Sequence, residues 1–116
     1  RVTDKYTISD KMWNSAKKRK EFYKKKGYGF GYSLFNRKSK YTSTISARYY
    51  KDGSEIWIEQ DSKNPRMLTP NEALKLQGFP EGFKIPVSNL QAYKQFGNSV
   101  SVPVIRAIAE RIVKLL

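Results

Sequence analysis

The sequence of 116 residues predicts an α+β fold: a small mixed domain with a β-hairpin and short helices, followed by a C-terminal helix. Three observations lead to that class. A lysine-rich stretch with helical spacing occupies 9–26, an aromatic and β-branched stretch occupies 27–60, and an apolar stripe with helical spacing occupies 101–116. The apolar content of 39% is enough for one modest core in a chain of this length.

The first predicted element is a helix over 9–26. Ser9 suits the N-cap, Ile8 can pack against Trp13 inside the helix, and Gly27 suits the C-terminal stop. The basic residues of this stretch, opposed only by Glu21, are Lys11, Lys17, Lys18, Arg19, Lys20, Lys24, Lys25 and Lys26. They indicate either a contact with nucleic-acid phosphates or a solvated helix face, and the residues alone favour neither interpretation.

The stretch 27–60 is predicted to be rich in β-structure. Glycines alternate with aromatic residues over 27–32, and a nucleotide-binding glycine loop would instead need a strand before it and a helix after it. A β-branched and aromatic run, an Asp52-Gly53 turn and an alternating segment at 55–59 predict a hairpin over 43–60.

A loop at 61–65 separates this hairpin from a short predicted helix. Thr69 and Glu72 have the spacing of a capping box, with Pro70 at the first helical position. The helix is expected to end at Gly78.

The last predicted helix begins near Ser101, after an extended stretch at 84–90, and tolerates Pro103 in its first turn. Its apolar side chains form a broad stripe at helical spacing: Val104, Ile105, Ile108, Ile112 and Leu115.

Charge and composition narrow the function classes. The net charge is +13, from 23 Lys and Arg against 10 Asp and Glu, and such a field favours polyanions, usually nucleic acid. An acidic membrane surface is the less favoured partner because no amphipathic anchor accompanies the charge, and a solvated basic face is the remaining interpretation. The absence of Cys and His makes a disulfide framework impossible and a zinc site unexpected, which fits a cytoplasmic protein.

Two sequence blocks carry a family resemblance. Residues 66–80 read Arg-Met-Leu-Thr-Pro-Asn-Glu-Ala-Leu-Lys-Leu-Gln-Gly-Phe-Pro, and residues 91–105 read Gln-Ala-Tyr-Lys-Gln-Phe-Gly-Asn-Ser-Val-Ser-Val-Pro-Val-Ile. In order and spacing they resemble the last two motifs of the DNA (cytosine-5) methyltransferases, and they cover roughly the C-terminal half of the chain. The preceding Thr44-Ile45 resembles the Thr-aliphatic pair of that family's target-recognition region, where Leu or Val is more usual than Ile.

The resemblance implies an incomplete enzyme. The family attacks C6 of a flipped cytosine with a cysteine thiolate, and this chain has no cysteine. It also lacks the family's glycine-rich cofactor loop and its Glu-Asn-Val block. The expectation is a fragment or one subunit of a split enzyme, not competent alone. Residues 1–92 would form the target-recognition domain with the penultimate motif, and 93–116 the final motif and a helix that completes an α/β S-adenosylmethionine-dependent domain outside this chain.

The resemblance also assigns candidate residues. Phe79 and the turn Asn98, Ser99 and Val100 are expected to bind S-adenosylmethionine, because a helix N-terminus after Gly97 would offer free N–H groups to a carboxylate. The candidate DNA-binding residues are Lys38, Lys40, Ser43, Thr44, Arg48 and Lys94. From the residues alone, 38–50 is either a DNA-reading loop or an ordinary exposed strand face, and the resemblance favours the loop. Lys94 could instead stabilise its turn. Arg66 is expected to organise the recognition region, and neither a catalytic residue nor a metal ligand is predicted.

The implied activity is methyl transfer from S-adenosylmethionine to C5 of cytosine in duplex DNA, as part of a restriction–modification system. The implied partners are double-stranded DNA and a catalytic part, which is either the N-terminal part of the same enzyme or a separate subunit. No membrane partner is expected. The implied location is the cytoplasm of a bacterium or archaeon, in association with the nucleoid. The alternative is a stand-alone basic nucleic-acid-binding module without enzymatic activity. Such a module would have to cover the apolar stripe of the last helix, whereas a fragment would leave it exposed.

Overall fold

A computed structural model describes residues 3–116 of the chain. After a 3₁₀ turn at Asp4–Tyr6, its elements are helix α1 (Asp10–Lys25), strands β1 (Leu34–Phe35), β2 (Trp57–Gln60) and β3 (Lys63–Met67), and helices α2 (Pro70–Leu76), α3 (Asn89–Asn98) and α4 (Val102–Leu115). The α+β class is therefore confirmed.

The sheet has three strands in the order β1-β2-β3. Trp57 in β2 pairs with Leu34 of β1 in parallel and with Met67 of β3 in antiparallel orientation. Ser62, with a φ of 56°, occupies the tight turn between β2 and β3. The sheet is small, and its central strand carries one of the most deeply buried side chains, Trp57.

The predicted hairpin over 43–60 is wrong. The antiparallel pair lies at 57–67, so β3 occupies part of the predicted loop at 61–65. The β-branched run at 43–50 forms turns because Ile45 and Tyr49 enter the core while the Tyr49 amide donates to the Ser46 carbonyl at 3.1 Å. Tertiary burial thus overrides the strand propensity of this run.

The predicted helix boundaries at α1 and α2 are confirmed. The Ser9 side chain accepts a hydrogen bond from the Met12 amide at 3.2 Å, and Gly27 takes a φ of 81° just after the helix. Both halves of the capping box between Thr69 and Glu72 are present at the start of α2.

Helix α3 was not predicted, and its first two residues fall in the stretch expected to be extended. Ser88 caps it by accepting from the Gln91 amide at 3.4 Å. Its buried residues Ala92, Tyr93 and Phe96 follow the i, i+1, i+4 spacing of one helix face. That spacing is the sequence signal that could have identified the helix.

The main core lies between α2, α3 and the turns at 45–56. Its buried members are Ile45, Tyr49, Ile56, Leu68, Ala73, Leu74, Ala92, Tyr93 and Phe96. The Tyr49 hydroxyl donates to the Ile56 carbonyl at 2.6 Å and accepts from the Leu68 amide at 2.8 Å, while the Tyr93 hydroxyl donates to the Leu68 carbonyl. Burial raises the pKa of both phenols above the ordinary value, so each stays a neutral donor.

A smaller cluster joins α1 to the sheet through Ile8, Ala16 and Trp57, with Trp13 packed beside them. Helix α4 differs from the other helices, since none of its residues is buried. Among residues 3–116, no helix has the length and apolarity needed to cross a membrane.

Candidate functional site

A groove lies where α3 passes into α4. It has a volume of about 530 Å³, and its lining residues are Phe79, Asn98, Ser99, Val100, Val102, Ile105 and Arg106. All four residues predicted to bind the cofactor therefore lie together in one groove. Arg106 is an additional basic group there that the sequence reasoning did not assign to the site.

The polar groups of this groove differ from those expected. The predicted start of the last helix near Ser101 is confirmed, since Ser101 is the N-cap of α4, but Asn98 lies at the end of α3 and not at a helix start. Helix α4 begins at Val102, whose amide donates to the Gln77 carbonyl at 2.9 Å, and Pro103 has no amide hydrogen. The first two residues of α4 therefore offer no free amide to a ligand, and the side chains of Asn98, Ser99 and Arg106 are further polar groups of the groove.

The Asn98 amide is the freest of these side chains. It is exposed, and within the described residues it makes no hydrogen bond. The Ser99 hydroxyl, by contrast, donates to the Phe96 carbonyl at 2.8 Å, which leaves it only as an acceptor. A ligand in the groove would find both donor and acceptor atoms on Asn98.

Gln77 and Gly78 hold the two walls of the groove together. The Gln77 side-chain amide donates to the Phe96 carbonyl at 2.8 Å, and the Gln77 backbone carbonyl accepts from the Val102 amide at the start of α4. Gly78 has a φ of 78°, and a Cβ there would lie 2.3 Å from Cδ of Pro103. Only glycine lets α4 start this close to the end of α2.

The predicted organising role of Arg66 agrees with its contacts. Its Nη1 and Nη2 atoms donate to the two carboxylate oxygens of Glu72 at 2.8 and 3.0 Å, and Nη1 also donates to the Met67 carbonyl. Partial burial opposes ionisation of Glu72, but the Arg66 and Thr69 hydrogen bonds outweigh it and hold the pKa of Glu72 below its ordinary value. The pair joins β3 to the first turn of α2.

Most candidate DNA-binding residues lie on exposed turns between β1 and β2. The exposed ones are Lys38, Lys40, Ser43, Thr44 and Arg48. Since none of them is in a strand, the interpretation of 38–50 as a strand face is wrong. Lys94 lies apart from them on α3, half-buried, with its Nζ 4.9 Å from the centroid of the Tyr50 ring.

Hydrogen bonds fix the conformation of the 44–48 turn. The Glu55 carboxylate accepts from the Ser46 amide at 3.1 Å and from its hydroxyl at 2.8 Å. The Ser46 hydroxyl in turn accepts from the Arg48 amide at 3.2 Å. Thr44 and Arg48 thus face solvent on either side of an anchored residue, and Glu55 is a functional candidate that the sequence did not reveal.

Gly97 brings this turn directly onto α3. A Cβ at Gly97 would lie 2.2 Å from the Ser46 carbonyl oxygen and 2.4 Å from the Ala47 Cα, distances that no side chain tolerates. The candidate DNA turn therefore packs against the residue that precedes Asn98. The candidate DNA-binding turn at 44–48 and the groove expected to bind the cofactor are therefore joined by one backbone contact.

Comparison with solved structures shows which known folds this chain resembles. The fold matches the Schizosaccharomyces pombe Dnmt2 methyltransferase with a TM-score of 0.77 at 16% identity, over 98% of this chain and 39% of that one. It matches the Entamoeba histolytica methyltransferase EhMeth with a TM-score of 0.71 at 24% identity, over 95% and 37%. The fold of this chain therefore matches a part, just under two fifths, of each of these two solved structures.

Sequence comparison gives the family. The family model of the C-5 cytosine-specific DNA methylases matches residues 1–114, and the chain belongs to that family. It is 66% identical over 115 residues to the Type II methyltransferase M1.ScrFI of Lactococcus lactis subsp. cremoris, covering 99% of this chain and 30% of the relative. It is 68% identical over 108 residues to M.NlaX of Neisseria lactamica, covering 93% and 34%. The chain thus spans about a third of the length of these relatives.

Proposed function

We propose that the chain is the C-terminal part of a DNA (cytosine-5) methyltransferase. It would read the DNA target and complete the S-adenosylmethionine site, and it would methylate C5 of cytosine in duplex DNA only with a catalytic part that supplies the cysteine. The observation that carries this proposal is the contact at Gly97, where the candidate DNA turn meets the groove formed by the two family motifs.

Target reading is assigned to the loop 38–50, whose candidate side chains Lys38, Lys40, Ser43, Thr44 and Arg48 are exposed. Arg48 offers a fork of donors that fits O6 and N7 of guanine, and Thr44 offers a hydroxyl to a base edge or a phosphate. Lys38 and Lys40 would contact phosphates and set the position of the duplex without reading it. Lys94 and Ser43 complete the proposed DNA surface.

The chemistry of the groove supports a role in binding one part of S-adenosylmethionine. Phe79 gives an apolar aromatic surface, Asn98 gives free amide atoms, and Arg106 gives a positive charge suited to a carboxylate. These residues, with Ser99 and Val100, would bind and orient the cofactor, which supplies the transferred methyl group when bound. Base flipping and covalent attack at C6 would belong to the catalytic part.

The exposed stripe of α4 supports an incomplete domain over a stand-alone binding module. Val104, Ile105, Ile108 and Ile112 are 45–56% exposed along one side of the helix. A contiguous apolar surface of this kind is the usual mark of a missing partner. We propose that the catalytic part covers it, and that 1–92 forms the recognition domain and 93–116 the returning segment, with α3 crossing that division.

The relatives named Type II methyltransferases suggest a restriction–modification setting. We propose that the complete enzyme modifies chromosomal DNA in the cytoplasm of a bacterium or archaeon. The partners would then be double-stranded DNA and the catalytic part, either joined to this chain or supplied as a separate subunit.

Reconstitution tests the proposal. The purified chain alone should transfer no tritiated methyl groups to duplex DNA, because it has no thiol. Addition of a chain carrying the family's cysteine and cofactor loop should restore transfer. An Ile108→Glu, Ile112→Glu chain is the matched control and should fail to restore it. Robust turnover by the chain alone, or no turnover with any catalytic part, would contradict the proposal.

A further inference from the structure

The basic helix α1 has no role in the function proposed above. At 100° per residue, Met12, Trp13 and Ala16 point toward the sheet, while residues seven apart return to nearly the same outward direction. Lys11, Lys18 and Lys25 have that spacing, and we call them the outer lysine row. They lie about 10.5 Å apart along the axis and span about 21 Å.

The side chains of the outer lysine row differ from other lysines of the same helix, which contact aromatic rings within the protein. The Nζ atoms of Lys17, Lys20 and Lys26 lie 5.1, 4.2 and 4.5 Å from the ring centroids of Trp13, Tyr32 and Phe22. Among residues 3–116, the side chains of the outer row make no ion pair, hydrogen bond or ring contact. Their charges are therefore available to an external anion.

The end of the helix is held by aromatic packing. Tyr23 contacts Phe22, Tyr28 and Phe30 with ring centroids 5.6, 6.4 and 5.6 Å apart. Lys20 also donates to the Tyr32 carbonyl at 3.0 Å, which ties the third turn of the helix to the segment before β1. The helix that carries the row is thus held in place, and the three lysine side chains extend from a fixed backbone into solvent.

We propose that the outer lysine row contacts the phosphate backbone of duplex DNA outside the recognised base pairs. This inference rests on the proposed function, which brings a duplex to the same chain. One strand carries a phosphate about every 3.4 Å, so a row of about 21 Å runs beside roughly six phosphates. The contact adds affinity and carries no sequence information.

Two other partners fit the row less well. A membrane surface would need apolar side chains between the lysines, and Phe22 is the only large one on this face. A contact with the catalytic part would need an apolar surface of the kind that α4 presents and this face lacks. Both partners remain outcomes of the experiment.

The experiment uses the complete enzyme, with this chain and its catalytic part together. Affinity is measured across salt concentrations on a duplex of about 12 base pairs holding the target, and on one extended by about 10 base pairs at each end, about 34 Å per extension. The variant is Lys18→Gln with Lys25→Gln. The matched control removes the same charge at the exposed Lys75 and Lys84. Arg48→Ala is the contrast, because it should change discrimination between target and scrambled duplexes.

On the extended duplex, the Lys18 and Lys25 variant should bind roughly ten- to thirtyfold more weakly at physiological salt. Its slope of log affinity against log salt should fall by about 2. Binding to the short duplex and the target-to-scrambled ratio should stay unchanged, as should everything in the Lys75 and Lys84 control.

Equal losses in the two double variants would overturn the inference, because only the overall field would then matter. So would unchanged binding in the Lys18 and Lys25 variant, weaker assembly with the catalytic part without DNA, or binding to anionic vesicles that the variant loses. Failure of the proposed function would look different: the unmodified enzyme would not distinguish target from scrambled duplexes on either length.

Discussion

The two walls of the groove are built in opposite ways. The α3 wall is backed by the main core, with Ala92 at 0% exposure and Tyr93 and Phe96 at 5%. The α4 wall carries Ile105 at 45% and Ile108 at 51% exposure and buries nothing. The α3 wall is therefore fixed by this chain's own packing. The α4 wall is positioned by the contact of its first turn with Gly78, and its apolar side is exposed. Under the proposed function, the catalytic part would cover the α4 wall and so complete the site.

The largest expected effect separates the walls by stability. Phe96→Ala should lower the free energy of unfolding by about 3–5 kcal/mol, because it removes a buried ring and leaves a cavity in the core. Ile108→Ala should change it by less than about 0.5 kcal/mol, because the side chain is half-exposed. Urea unfolding of the chain measures both.

Similar losses of stability in the two variants would contradict the contrast between the walls, since α4 would then be packed against the rest of this chain in solution. The same Ile108→Ala chain should show its defect in reconstitution with the catalytic part. That result would assign the energy of the α4 stripe to assembly rather than to folding.

The next effect tests the backbone contact between the DNA turn and the packed wall. Gly97→Ala should destabilise the chain by about 1–3 kcal/mol, because the new methyl group would overlap the backbone of Ser46 and Ala47. Gly29→Ala is the matched control, since nothing lies within 4 Å of its Cβ position. Chemical denaturation compares the two.

A Gly97→Ala chain as stable as the Gly29→Ala chain would show that the turn can lift from α3 without cost. The close contact would then not be needed for folding. If stability falls as expected, the loss of target discrimination in the complete enzyme should accompany it, because Arg48 lies on the displaced turn.

Local sequence signals predicted the parts of this fold that depend on neighbouring residues. The Ser9 cap, the Thr69–Glu72 capping box and the Gly27 stop all act within one helical turn, and each lies where the pattern placed it. The two motif blocks also located the groove residues, although the structure assigns Asn98 to the end of a helix rather than to the start of one.

The signals that failed depend on contacts distant in the chain. The run at 43–50 has strand propensity, but Ile45 and Tyr49 gain more by entering a core whose other members extend along the chain as far as Phe96. The role of Gly97 is likewise visible only when the Ser46 backbone is brought to it. Contacts between residues that are distant in the chain produce no periodic pattern of apolar residues, so a single sequence does not reveal them.

The smallest expected effect concerns the ion pair between Arg66 and Glu72, which joins β3 to α2. Because hydrogen bonds from Arg66 and Thr69 hold the pKa of Glu72 below its ordinary value, folding stabilises the ionised carboxylate. The contribution is fully present above the unfolded pKa of about 4.3 and is lost as the pH falls through the lower, folded pKa. The side chain of Glu72 is 35% exposed, so solvent and salt should weaken the effect further.

The measurement is the difference in unfolding free energy between the natural chain and Glu72→Gln from pH 7 downward, with Glu81→Gln as the exposed control. The difference for Glu72 should shrink below about pH 4.3, and the Glu81 difference should stay small throughout. A Glu72 difference that is constant with pH would mean that the pair with Arg66 joins β3 to α2 through its shape and packing, without a net contribution from the carboxylate charge.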